Sequence, residues 1–219
     1  MTTFVLYNYF RSSTSYRVRI ALHLKNLPFE YKAVNLLKSE QTSEEYRRIN
    51  PLGEVPALLH EGHLIAQSLP IMEYLDEMFP EPRLYPWDPV ARAQVRQFCE
   101  NINAGMHPLC NLKIQKYLEA KHGYDQAAKE AWIAHWTRPG FAALEQLLQR
   151  HAGTYCFGDQ ITAADVCLVP MVFSARRFNV DLGDFPIVER IDRRCQEHPA
   201  FQQAHPLTQV DTPEELRRK

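Results

Sequence analysis

Residues 11–22 read RSSTSYRVRIAL: an arginine, the hydroxyl side chains Ser12, Ser13 and Thr14, then a basic amphipathic segment. Hydroxyl oxygens at a helix start accept the free amides of the first turn, so capping is one role for such a run. The other is to hold an anion, because unpaired amides and the positive end of the helix dipole lie at the same place. A thiolate is the anion of most consequence there. A hydrogen bond to a charged group contributes about 1.5 to 3 kcal/mol, enough to lower a thiol pKa by roughly one to two units from a reference of about 8.5. Two later features suit a peptide-like ligand. Val55-Pro56 precedes an apolar run, and a proline at an exposed edge is compatible with a cis bond that turns the Val55 backbone toward a short peptide. Gln67-Ser68 opens a helical pattern whose first amides, with the Ser68 hydroxyl, suit a carboxylate. Each also reads as plain structure, a turn proline and a capping serine. HEGH at 60–63 lacks the spacing of a zinc helix.

Positioning these groups falls to a set of alternating elements. FVLY is a buried strand, Ser15 to Asn26 a helix with Val18, Ala21 and Leu22 on one face, and EYKAVNL holds a second strand. VPALLHEGHLIAQS reads as a hairpin turning at Glu61-Gly62, and Ser68 caps the helix of SLPIMEYLDEMFP. The order βαβ then ββα predicts a small mixed sheet with helices on its faces. The proline-rich PEPRLYPWDP, 80–89, is a linker, and helical periodicity dominates beyond it. Within that part Thr162 and Asp165 form a capping box, and DTPEELRRK ends the chain as a short helix with Thr212 at its cap.

Composition narrows the classes of function. The 219 residues are 45% hydrophobic, and 25 basic residues stand against 26 acidic ones, so no global field recruits nucleic acid. Five cysteines without CxxC spacing argue against a disulfide framework, a metal site or a redox pair, and suit a reducing cytoplasm. No targeting signal and no membrane-spanning run is found.

The element order, VP before the hairpin, QS after it and GDQITAAD in the helical part together resemble the glutathione transferases. RSSTSYRVRIAL resembles the serine motif of their zeta class, which includes maleylacetoacetate and maleylpyruvate isomerases, and the likeness continues through INPLGEVPALL, MHPLCNLKIQKYL, ARRFNVDL and DTPEELR. The resemblance implies a thioredoxin-like, glutathione-binding domain over 1–84 and an all-helical, substrate-binding domain over 89–219. It implies that Ser12 faces the glutathione sulfur while Ser13, Thr14 and Ser15 shape and cap the helix start. Further glutathione contacts are implied at Gln41, Val55, Gln67, Ser68, His107 and Asn111. The class often has cysteine where this chain has Thr14, so a mechanism relying on that thiol is excluded and one relying on Ser12 is kept.

The activity implied is glutathione-dependent cis–trans isomerisation of a small dicarboxylate, in which thiolate addition removes double-bond character and expulsion restores it, leaving glutathione unconsumed. Maleylacetoacetate of tyrosine breakdown is the first substrate and maleylpyruvate of the gentisate pathway the alternative. A general conjugating transferase and a non-catalytic binding module are the other classes. A dianionic substrate needs cations, and Arg11, Arg176 and Arg177 are the candidates because guanidinium pairs with carboxylate through two parallel bonds. Arg176 also reads as solvated surface charge. A cytoplasmic homodimer, with no nucleic-acid or membrane partner and no metal, completes the expectation.

Overall fold

Five residues that alternate between buried and half-buried begin the fold as β1 (Phe4–Asn8) in the computed structural model, which describes residues 4–217. Helix α1 (Ser13–Leu24) carries the chain over to β2 (Phe29–Ala33), parallel to β1. After the short α2 (Glu44–Ile49), β3 (Ala57–His60) pairs antiparallel with β1 and turns into β4 (His63–Ala66). The sheet order is β2-β1-β3-β4, the mixed sheet that the sequence predicts. At the hairpin, Glu61 and Gly62 hold φ of 50° and 80°, the left-handed pair that a two-residue turn requires. α3 (Ser68–Met78) then closes the βαβ-ββα order. The six residues of α2 go unread in the sequence because they are too few to show a period; Ser43 caps them, its Oγ accepting Tyr46 N at 3.1 Å.

Two expectations about α1 change. It begins at Ser13 rather than Ser15, because Ser12 is the cap and its Oγ accepts Ser15 N at 3.2 Å. Nor is it amphipathic: every residue from Ser15 to Leu22 is buried, Arg17 and Arg19 included.

A second compact unit, Tyr85–Cys195, is helical. α4 (Pro89–Asn103) starts with Asp88 accepting Ala91 N at 2.8 Å, and α5 (Leu112–His122) and the long α6 (Gln126–His151) follow. α7 (Ala163–Arg177), buried over most of its length, packs against α4 and α6, and α8 (Pro186–Gln196) ends the unit. The expected capping box is formed: the Asp165 carboxylate accepts Thr162 N at 2.8 Å and, with its other oxygen, Cys156 N at 2.8 Å. Among the described residues no helix is long and apolar enough to cross a membrane.

The expected second domain of 89–219 is divided. From Gln196 onward the chain packs with the sheet instead, adding α9 (Pro199–Ala204) beside α1. The reason is polar as much as apolar. The Arg19 guanidinium, with no exposed surface, donates to Ala204 O at 3.0 Å, Phe10 O at 2.8 Å, Tyr9 O at 3.3 Å and Asn8 Oδ1 at 2.9 Å. Burial pulls its pKa down to about 10, so it remains charged at neutral pH. Asp211 adds a second tie, accepting Phe10 N at 3.0 Å and the Tyr31 hydroxyl at 2.5 Å. The expected terminal helix reduces to a 3-10 turn over Glu214–Leu216 without a side-chain cap; Thr212 donates instead to Pro206 O at 2.7 Å. Arg218 and Lys219 of that expectation lie outside the described residues.

Replacing Arg19 by Met leaves the Phe10 and Ala204 carbonyls in a dry site without their donor, and should lower unfolding free energy by about 3 to 5 kcal/mol in a urea titration. Arg19→Lys keeps the charge but not the fork, and should recover only part of that loss.

Candidate active site

In the first unit the predicted residues converge on the amino ends of α1 and α3. Ser12, half-buried, follows Arg11, whose guanidinium carbon lies 5.8 Å from the centre of the Phe10 ring. Ser13 and Ser15 are buried, and Ser15 Oγ has no hydrogen-bond partner. Thr14 Oγ1 lies 3.0 Å from Ser12 Oγ and donates to the Val55 carbonyl at 3.1 Å, tying α1 to the loop before β3. The Val55-Pro56 peptide bond is cis, as the sequence suggests. The Gln41 loop reaches the same strand entry. Gly53 sits at φ 62°, and a Cβ there would come within 2.9 Å of the Gln41 carbonyl oxygen, so only glycine fits both the turn and the contact.

At α3 the structure corrects one reading. Ser68 is the first helical residue, not the cap; Gln67 is the cap, and no side chain caps the helix. Gln67 holds φ 72° and ψ 132°, a conformation costing about 1 to 3 kcal/mol in a residue other than glycine, and its Nε2 donates to Glu54 Oε2 at 3.1 Å. Strain of this kind concentrates where ligands bind. Ser68 Oγ accepts from Arg17 Nη1 at 3.1 Å, which leaves the Ser68 hydrogen to be donated elsewhere. First-turn amides, a hydroxyl and a buried cation behind it are the groups that an anion's charge would favour. Sequence reasoning missed Arg17, since an arginine in a helical pattern reads as a solvated face, and nothing local marks it as buried.

The remaining candidates lie in the second unit. His107, half-buried, starts a 3-10 turn, His107–Cys110, and Asn111 caps α5 with Oδ1 accepting Lys113 N at 2.9 Å. Arg177, exposed at the end of α7, lies 4.4 Å over the Phe178 ring. Arg176, next to it, is partly exposed, as the sequence suggests, and is also ion-paired. Its Nη1 is 2.5 Å from Oδ2 of the buried Asp192, with Glu189 3.7 Å from its other nitrogen.

The chain's thiols are poor nucleophiles. All five cysteines are buried and outside any disulfide. Burial pushes the Cys110 thiol up to about 12 and raises Cys156 and Cys195 well above the usual thiol range. A reactive sulfur at the Ser12 site would have to come from a ligand.

Known proteins place this geometry in context. The family model for the glutathione S-transferase N-terminal domain matches residues 11–78, and that for the glutathione S-transferase C-terminal domain matches 126–206. The chain is 47% identical to maleylacetoacetate isomerase of Rattus norvegicus over 215 residues, covering 97% of each. Among solved structures it is similar to the holo structure of maleyl pyruvate isomerase, a bacterial zeta-class glutathione S-transferase, with a TM-score of 0.94 and 43% identity over 95% of this chain and all of that one. It is also similar to maleylacetoacetate isomerase of Anaeromyxobacter dehalogenans with glutathione bound in the active site, with a TM-score of 0.88 and 40% identity over 97% and 99% of the two chains.

If Arg176 serves the fold through Asp192, Arg176→Gln should cost about 1 to 2 kcal/mol of stability, moderated because Arg176 is partly exposed, and leave the steady-state constants unchanged. Urea unfolding and an initial-rate assay on the same preparation check both halves.

Proposed function

The chain belongs to the zeta class of the glutathione S-transferase family, and from that footing we propose that it is a glutathione-dependent cis–trans isomerase of a maleyl-type dicarboxylate, with maleylacetoacetate as its substrate. The observation that carries the reading is the half-buried Ser12 hydroxyl at the amino end of α1, in a chain whose own thiols are buried.

The donors around that hydroxyl fit glutathione. Ser12, at a helix start flanked by Ser13, Thr14 and Ser15, serves the sulfur. The first-turn amides of α3 and the Ser68 hydroxyl, backed by Arg17, serve a carboxylate, with Gln67 at the same helix start. Val55 offers backbone to a peptide, and Gln41 Oε1, a buried acceptor with no hydrogen-bond partner, suits a ligand donor. His107 and Asn111 add contacts from the helical unit on the strength of the class resemblance. When bound, glutathione supplies a thiolate that adds to the alkene beside the carbonyl and leaves after rotation about the resulting single bond, so none is consumed.

The rest is done by this chain. Ser12 holds the sulfur as an anion by donating its O–H, and the helix end adds a field of the same sign. Arg11 and Arg177 are assigned to the substrate's carboxylates on the strength of the class resemblance, since guanidinium pairs with carboxylate through two parallel bonds. Maleylpyruvate is the second reading, supported by the maleyl pyruvate isomerase among the structural neighbours. The reading takes the working form to be a cytoplasmic homodimer, supported by the class resemblance and by five thiols outside any disulfide.

Product and free thiol followed together should show many turnovers per glutathione with no loss of thiol; stoichiometric thiol loss would mean conjugation. Arg177→Ala should lower kcat/KM for a dianionic substrate roughly ten- to a hundredfold, the worth of about 1.5 to 3 kcal/mol, while a neutral electrophile loses much less. Steady-state kinetics with both substrates measures the difference.

A further inference from the structure

Beside the anion site, three groups form a hydrogen-bonded chain whose direction is fixed by chemistry. Thr14 Oγ1 donates to the Val55 carbonyl, which can only accept. A threonine hydroxyl has a single hydrogen, so at the 3.0 Å contact between Ser12 Oγ and Thr14 Oγ1 the donor is Ser12. Ser12 Oγ in turn accepts the Ser15 amide. The Ser12 hydrogen therefore points at Thr14.

We propose that Thr14 is a positioning residue that tunes the acidity of the bound thiol by competing with the sulfur for the Ser12 hydrogen. The inference rests on the reading of Ser12 as the hydroxyl that faces sulfur, and it replaces the expectation that Thr14 only shapes the helix start. With no anion present, Thr14 keeps the half-buried hydroxyl partnered. When a thiolate arrives, Ser12 gives up or shares its bond to Thr14 in order to donate to sulfur. The net stabilisation of the anion is then smaller by the worth of that neutral hydrogen bond. Thr14 cannot swing its own hydrogen to the sulfur in compensation without leaving the Val55 carbonyl without this donor.

The effect has a sign that capping does not share. Removing the donor at 12 raises the thiol pKa, whereas removing the competing acceptor at 14 lowers it. Thr14→Val keeps the branched shape without the hydroxyl, and Thr14→Ser restores the hydroxyl without the methyl.

The test is thiolate absorbance of the enzyme–glutathione complex against pH for wild type, Thr14→Val, Thr14→Ser and Ser12→Ala, with affinity for S-methylglutathione measured alongside. That ligand has no ionisable sulfur, so its affinity reports loosening of the Val55 loop separately. The expected result is a thiol pKa lowered by roughly half a unit in Thr14→Val, unchanged in Thr14→Ser and raised by about one unit in Ser12→Ala. Should Thr14→Val fail to fold, Thr14→Ala carries the same expectation. A pKa in the folded Val or Ala variant at or above that of wild type, with Ser12→Ala still raised, would overturn the role of Thr14 and leave that of Ser12 standing. An unshifted Ser12→Ala would overturn the reading of Ser12 and this inference together.

Discussion

A guanidinium without a water-exposed atom sits at the centre of the sheet unit. Arg19 gathers Asn8, Tyr9 and Phe10 at the end of β1 and Ala204 at the end of α9 around one planar group. Burying a charge is tolerable only when its donors are satisfied, and four acceptors in fork geometry satisfy them. Two further buried cations tie α1 to α3. Arg17 reaches the first residue of α3, and Lys25, at the carboxyl end of α1, is held by Asp76 at 2.8 Å and by the Phe79 and Pro82 carbonyls at the far end of α3. One helix thus anchors both ends of α3, the turn after β1 and the returning tail through three buried cations.

This arrangement also explains why the hydroxyl run sits where it does. The turn that Arg19 and Asp211 grip is Tyr9–Phe10, and Ser12 N donates back to Tyr9 O at 3.0 Å, so the backbone that presents Ser12 is fixed from both sides. With that backbone fixed, only the hydroxyl hydrogen has to turn when an anion arrives, which keeps reorganisation small. The strained Gln67 and the start of α3 without a side-chain cap fit the proposed carboxylate contact, because the first-turn amides are not spent on a side chain.

Much of the local architecture is legible in the residues. The hairpin at Glu61-Gly62, the capping box at Thr162 and Asp165, and a capping hydroxyl at the start of α1 are encoded within a few positions of where they act, and each appears in the structure. The corrections share a different character. Arg17 and Arg19 are spaced like a solvent face, and only packing against α3 and α9 reveals them as interior. Arg176 finds its carboxylate sixteen residues away in α8, and Asp211 of the tail finds its donor 201 residues back at the Phe10 amide. Even the cap of α1 depends on which serine backbone leaves the helical region, a choice that a run of four hydroxyl residues leaves open. Long-range polar partners carry no periodic signal, and they are what places the site.

The returning tail and the turn bearing Ser12 are held as one piece. Backbone amide hydrogen exchange in wild type and Asp211→Ala tests it most directly. Exchange should quicken not only at Phe10, which loses its own acceptor, but also at Ser12 and through the first turn of α1, with α7 unchanged. Faster exchange at Phe10 alone, with Ser12 and the first turn as protected as before, would contradict it.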